Sequence, residues 1–419
     1  MAVANDLPKP EFRLSALIYD TRYRAITIQV IVLILALLFA AWLMENVRSN
    51  LALKGKDIDF SFLWRRAGYD IGQHLIPYTN DSHHIRAAFV GLINTMVVAV
   101  VASILSTILG VFLGVLRLSK NWIVSRLVGV YVEMFRNVPL LLWIILTSAI
   151  FSESRPQPKD FKVIDGVAKA DMSFWNSVAI TNRSSNVPMP VLDRPLPSID
   201  TPWFSISTSL VALAVLLGAS IWANRLLLRR ATAIQQATGL RPTTWWQSTA
   251  ILIVPTLAAL IAMGFHLDYP VFKGFNFQGG LSFDHAFTSL TISLTLYYAA
   301  VTAEIVRSGI QAISRGQSEA AFALGLRPGR VMSLIILPQA LRVIIPPMIS
   351  HWLSLTKDTS LGIAVSYLDL RGTLGGITLN QTGRELECMV LMMMIYLIIS
   401  LIISAIANAY NSSVKLKER

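Results

Sequence analysis

Cysteine is nearly absent. Cys388 is the single one in 419 residues, so neither an internal disulfide nor a cysteine-based metal cluster can form. Charge is also sparse, at 14% Asp, Glu, Lys and Arg, where a soluble domain usually carries about a quarter. No Gly-x-x-x-x-Gly-Lys-Ser/Thr phosphate loop occurs, nor a His-Glu-x-x-His pair or a nucleophile elbow, so no enzymatic chemistry is expected of the chain. His83 and His84 have no third ligand near them in the sequence, and the run Met392, Met393, Met394 reads as packing filler, so no metal is expected.

Apolar residues take up the space that charge leaves. They make up 54% of the chain, and mean hydropathy is +0.57. They fall in blocks that approach the roughly 20 residues a bilayer-spanning helix needs. The net charge of +12 is of the size a nucleic-acid binder carries, but its placement is wrong for one. The excess flanks the apolar blocks: Arg117, Lys120 and Arg126; Arg225, Arg229 and Arg230; Arg315, Arg327 and Arg330; Lys415, Lys417 and Arg419. That is the positive-inside pattern of a protein in a lipid bilayer, and no nucleic-acid partner is expected.

Hydropathy predicts about eight spans, at 25–44, 87–116, 128–151, 206–224, 248–266, 286–310, 341–363 and 388–410. The first is too long for a signal-peptide core and lacks a small-residue cleavage site, so it reads as a retained anchor. An even number of spans puts both termini on one side. Lys9, Arg13, Arg22 and Arg24 at one end, and the Lys-Leu-Lys-Glu-Arg tail at the other, make that side cytoplasmic. The loops 117–126, 225–241 and 311–340 are Arg-rich and predicted inside; 267–285, with one Lys against two Asp, is predicted outside. Segment 152–205 is rich in Pro, Ser, Asn and Asp and reads as an irregular outside insertion. Pro139 and the pair Pro346, Pro347 predict kinks or breaks in their spans.

The most informative stretch lies between the sixth and seventh spans: Gly316-Gln-Ser-Glu-Ala-Ala-Phe-Ala-Leu-Gly325-Leu-Arg-Pro328-Gly-Arg330, continuing to Leu337-Pro338. Ser318 is a candidate N-cap, with Glu319 in the first turn. Gly325 fits a left-handed helix end, and Pro328 the opening of a second helix. Ala320, Ala321 and Ala323 give a small-sided surface, with Phe322 and Leu324 as anchors, suited to a helix-in-groove contact. At fixed spacing, Glu319, Ala320, Ala321, Gly325, Leu337 and Pro338 resemble the EAA loop of ABC-importer permeases. The resemblance implies that this loop, with Phe322, docks into a cleft on an ATP-binding subunit and transmits its closure.

Gly91-Leu-Ile-Asn94-Thr95, Tyr131-Val-Glu133-Met-Phe-Arg136-Asn137-Val-Pro139, Ala303-Glu304-Ile-Val-Arg307 and Lys357-Asp358-Thr359-Ser360-Leu361 are similar to the polar amino-acid subfamily of those permeases. The resemblance implies an all-α integral membrane fold with a type I importer core of five helices, enlarged by an N-terminal helix and an inserted helix pair. That layout resembles the general L-amino-acid importers of the Aap/Bzt type from Gram-negative bacteria. The implied organisation is a cytoplasmic segment 1–24, an anchor 25–44 and a periplasmic segment 45–86; then core 87–151, a periplasmic insertion 152–205 and a helix pair 206–266; then core 286–410 with coupling loop 311–340, and a tail 411–419. The implied partners are a second, paralogous permease in a heterodimer, a dimer of ATP-binding subunits that holds ATP and Mg, and a periplasmic binding protein that delivers L-amino acids. The chain itself would hold no cofactor and would sit in the bacterial inner membrane, multi-pass, with both termini cytoplasmic.

Glu133, Arg136, Glu304, Lys357 and Asp358 fall inside or at the ends of spans, where an unpaired charge costs about 2.5–3.5 kcal/mol at a helix centre. Two readings are open. In one the charges pair, Glu133 with Arg136 and Lys357 with Glu304 or Asp358, and Glu304 braces the coupling loop. In the other they line a path for a zwitterionic amino acid. For Lys357, Asp358, Thr359, Ser360 and Leu361 the cluster of charge and hydroxyls favours the path, with Asn94 and Thr95 on it. For Glu133 and Arg136 pairing explains them as well. The rival function is an ion-coupled secondary carrier, weakened by the absence of an internal repeat.

Overall fold

The computed structural model describes residues 21–53, 55, 57–163, 168–201 and 204–414. The basic residues Lys9, Arg13, Lys415, Lys417 and Arg419 invoked for topology lie outside these. Among the described residues, seven helices are long and apolar enough to cross a membrane, and a bent pair makes eight if it counts as one span. The chain is mostly helical, at 71%.

Two compact units divide the chain, Met1–Phe62 and Leu63–Arg419. Helix α1, Thr21–Leu53, belongs to the first. Its 33 residues make it about 50 Å long at 1.5 Å per residue, enough to span a bilayer. Ile31, Val32, Leu33 and Ile34, successive residues about 100° apart round the helix, are all exposed, so the helix is apolar all round, as lipid requires.

The second unit is built on two long helices, α2 (His84–Arg117) and α7 (His285–Gln311). Gly110 and Gly114 of α2 lie against α7. A Cβ on Gly110 would come within 2.4 Å of the Thr302 Cβ, and one on Gly114 within 2.8 Å of the Ala303 carbonyl oxygen. Small residues four apart let two backbones touch, which substitutes for the hydrophobic effect that lipid does not supply between helices. Leu290, Leu294, Ala299, Ala300 and Ala303 make α7 the buried centre of the unit.

Helices α3 (Trp122–Asn137) and α4 (Leu140–Ser154) divide the expected span at 128–151 at the expected break, with a bend of 105° between them. Pro139 has no N–H and drives Val138 to φ −105°, ψ 133°, out of the helical region. Phe135 and Trp143 stack across the bend at 4.3 Å, and the Tyr131 hydroxyl donates to the Leu296 carbonyl of α7 at 2.6 Å.

Helix α5 (Thr208–Thr238) runs on through most of the expected loop 225–241. Arg225, Arg229 and Arg230 lie on the helix, because no glycine or proline falls between Gly218 and Gly239, which caps it at φ +74°. Helix α6 (Trp245–Ala262) returns beside it.

The insertion is more regular than its composition suggests. Strands β1 (Ala179–Ile180), β2 (Ser184–Val187), β3 (Met189–Leu192), β4 (Ile199–Asp200) and β5 (Ser205–Ile206) precede α5; β6 (Phe265–Asp268), β7 (Val271–Lys273), β8 (Asn276–Gln278) and β9 (Leu281–Asp284) follow α6. They form short antiparallel ribbons, ordered β1-β2-β9, β3-β6, β4-β5 and β7-β8. Two of these ribbons pair the insertion with the segment before α7.

After α7 come α8 (Arg315–Ala323), α9 (Pro328–Val331) and a π-helical turn, then α10 (Leu337–Asp358), which runs through Pro346 and Pro347 without the expected break. Proline's fixed φ is itself helical, so it need not kink a helix whose neighbours hold it. Segment 366–384 turns back on α2 before the last helix, α11 (Glu385–Val414).

Candidate functional site

Helix α8 projects at the end of the unit where α2 and α7 finish. Its N-cap is Ser314, which corrects Ser318: Ser318 and Glu319 lie inside the helix because it starts one turn earlier, at Arg315. The other end is as the sequence suggests. Gly325 sits at φ +78°, with its N–H on the Phe322 carbonyl at 2.9 Å and the Leu326 N–H on the Ala321 carbonyl at 3.2 Å. This is a Schellman closure, and Pro328 then opens α9. Ala321 is buried, whereas Glu319 and Ala320 are exposed, as are Phe322 and Leu324, the latter at 81%. Leu337 and Pro338 are exposed at the start of α10. The helix is thus held by one small residue and offers a carboxylate and two large apolar side chains outward.

Beside it, a charge cluster ties α2, α3 and α7 together. Glu304 accepts from Arg307 at 2.5 and 3.2 Å and from Arg117. Arg117 reaches Glu133 at 3.6 Å, and Arg307 donates to Gln311 at 2.6 Å. The expected pair Glu133–Arg136 is corrected: Glu133 is paired from α2, and Arg136 adds only its field to Glu304. Arg117, read in the sequence as topology only, is the centre of the cluster. Arg117, Lys120, Arg126 and Glu133 also border a cavity of about 980 Å³ lined by α3.

Farther along the bundle the expected path residues separate. Asp358 accepts from the Tyr298 hydroxyl at 2.6 Å, so neither expected partner of Lys357 meets it. Tyr298 packs on His351, whose Nε2 is 2.9 Å from the Thr302 hydroxyl. Thr359 is buried and donates to the Thr356 carbonyl at 2.9 Å. Lys357, Ser360 and Leu361 line a cavity of about 400 Å³ together with Ile363, Arg371, Met392 and Tyr396.

Asn94 and Thr95 hold the fold. The Asn94 amide donates to the Gln73 and Leu368 carbonyls at 2.8 and 2.9 Å, and the Thr95 hydroxyl takes the Leu370 N–H at 3.1 Å while donating to Gly91. Both are buried and bound to backbone, and Thr95 also bonds the Tyr396 side chain. The clamped segment contains Asp369, between the last two spans. It caps Gly372 N–H at 2.8 Å and accepts from the Tyr396 hydroxyl at 3.3 Å, and burial pushes its carboxyl up to about 7. Arg371, Asp369 and Tyr396 escape sequence reasoning. The signal of the first two is only a polar gap, 364–387, too short for a domain and too ordered for a tail, and Tyr396 lies inside the last span with no signal of its own.

A family model described as "Binding-protein-dependent transport system inner membrane component" matches residues 243–416. The chain is 61% identical, over all of both sequences, to the glutamate/glutamine/aspartate/asparagine transport system permease protein BztB of Rhodobacter capsulatus. It is 38% identical to the general L-amino acid transport system permease protein AapQ of Rhizobium johnstonii, over 96% of this chain and 94% of that one. A putative amino-acid ABC transporter permease of Escherichia coli, YhdX, is 37% identical over 94% and 95%.

Proposed function

This chain belongs to the inner-membrane permease family of binding-protein-dependent amino-acid importers, and from that premise we propose how it couples and what it assembles with. It is a permease subunit, not an enzyme; ATP is hydrolysed on a separate ATPase subunit, and a binding protein delivers the substrate. The finer reading is that α8 docks on that ATPase, which carries the ATP and Mg, and that a paralogous permease completes the pathway. The membrane is the bacterial inner membrane, with α8 and both termini in the cytoplasm. The substrates are L-amino acids of broad range, as the names of the relatives suggest.

The observation that carries the coupling role is the construction of α8. Ala321 anchors it, Gly325 closes it in a left-handed turn, and Glu319, Phe322 and Leu324 face outward. An apolar side chain 81% exposed at a helix end suits a surface covered in the assembly. Glu304 lies about two turns before the end of α7 and ties it to α2 and α3, so a push on α8 reaches three helices as one body.

The test is co-purification of the ATPase subunit from detergent with tagged wild type and with Glu319→Lys. Wild type is expected to bring the ATPase with it and the variant to lose most of it. Equal recovery in both would remove Glu319 from the docking surface.

A further inference from the structure

The hairpin of α5 and α6 has one-sided chemistry. No Asp or Glu occurs between Asp200 and Asp268, and the only Lys or Arg there are Arg225, Arg229 and Arg230 on α5 and Arg241 in the turn. All four are exposed, and among the described residues none of their side chains has an ion-pair or hydrogen-bond partner. Exposed apolar side chains bracket them, Trp222 and Ile234 on α5 and Leu240 at the turn. Trp245 and Trp246 then open α6, exposed at 74% and 56%.

A positive-inside bias explains why arginines stand at this end of a span, but not how they are arranged. Arg225 and Arg229 are four apart, so they rise from one helix face with Cβ atoms about 5–6 Å apart, where like charges repel. An anion between them removes that repulsion, and guanidinium forks match the oxygens of a phosphate. The rest of the hairpin calls for acyl chains. Helix α6 has no buried residue, and Ile253, Leu257 and Ile261 are exposed along it. Its 18 residues give about 27 Å, close to the hydrocarbon thickness, which sets Trp245 and Trp246 at the headgroup boundary, where indoles are favoured. Helix α5, at 31 residues and about 46 Å, outruns the hydrocarbon, so its arginine-bearing end reaches that boundary too.

We propose that the α5–α6 hairpin is a binding site for an anionic phospholipid, with Arg225 and Arg229 on its phosphate and the two tryptophans at the level of its glycerol. The site stands apart from α8 and the Glu304 cluster, so it does not depend on the coupling reading. A free phosphate would use the arginines alone; a diacyl phosphate uses the arginines and the exposed apolar face together. Four cations with no acid among them favour a headgroup of net negative charge, since the ammonium of a zwitterionic headgroup offsets its own phosphate.

The experiment titrates the assembled importer in detergent with dioleoylphosphatidylglycerol or dioleoylphosphatidylcholine and follows bound lipid by native mass spectrometry. Wild type is expected to hold phosphatidylglycerol about ten-fold or more tighter than phosphatidylcholine. Arg225→Gln combined with Arg229→Gln is expected to weaken phosphatidylglycerol about 25-fold, about five-fold for each arginine, and to leave phosphatidylcholine unchanged. The side chains have no bond to lose, so the variant is expected to keep a monodisperse peak and a wild-type melt. Lys120→Gln combined with Arg126→Gln removes two cations from another span end and is expected to leave the affinity at its wild-type level. An equal loss there would reduce the hairpin to part of a diffuse positive field and overturn the site. No preference in wild type, or an unchanged affinity in the hairpin variant, would overturn it as well. So would displacement of the lipid by millimolar inorganic phosphate, which marks a free-anion site, or loss of the ATPase subunit from the hairpin variant, which marks a protein contact.

Discussion

Gly325 is the residue on which the docking loop depends, and the reason is backbone conformation. A Cβ there would meet nothing within 4 Å, yet φ is +78°, where an L side chain costs about 1–2 kcal/mol and a β-branched one more. Gly325→Val is therefore expected to loosen α8 without disturbing the membrane core. Measured in proteoliposomes, basal ATP hydrolysis should persist while uptake per ATP falls several-fold; unchanged uptake per ATP would show that the turn does not transmit force. This residue was legible in advance, because glycine before a proline-led helix has few other uses. Glu319, Phe322 and Leu337 were legible for the same reason, fixed spacing in one short segment. Arg117 and Arg371 were not. An arginine reads as topology, and only the fold shows which carboxylate waits opposite, Glu304 for Arg117 and Asp369 beside Arg371.

Among elements, the α2–α7 contact holds the second unit together, and its closeness rests on Gly110 and Gly114. Gly110→Leu would drive a side chain into Thr302 and the Ala299 carbonyl, overpacking that usually costs about 1–3 kcal/mol. A fall of several degrees in the melting temperature of the purified subunit, or loss of its monodisperse peak, is the expected result; a wild-type melt would mean that the helices part easily. The apolar middles of the spans are legible from hydropathy, since lipid demands about 20 apolar residues whatever their partners, but their helices run on, α1 to Leu53 and α5 to Thr238. Their interruptions were read less well. Pro139 bends its span as expected, while α10 runs unbroken through Pro346 and Pro347. The ribbons were missed altogether. Strands of two to four residues are too short to show a period of two, and β2 pairs with β9 from nearly a hundred residues away.

Taken whole, the molecule separates three tasks along its length: a helix apolar all round at one end of the chain, a set of ribbons between spans, and a permease body ending in an exposed coupling helix. Membership of the family could be read from the loop alone, since six residues at fixed spacing carry it, and the relatives extend it over the full chain. The central claim is that movement of substrate is driven by ATP on another subunit and transmitted through α8. It is tested most directly by uptake of an amino acid into proteoliposomes without any ion gradient, with binding protein outside and ATP sealed within. Uptake that needs both ATP and the ATPase subunit, and that is lost with Glu319→Lys, is expected. Uptake by the purified chain alone, driven by an imposed proton or sodium gradient and indifferent to ATP, would contradict it.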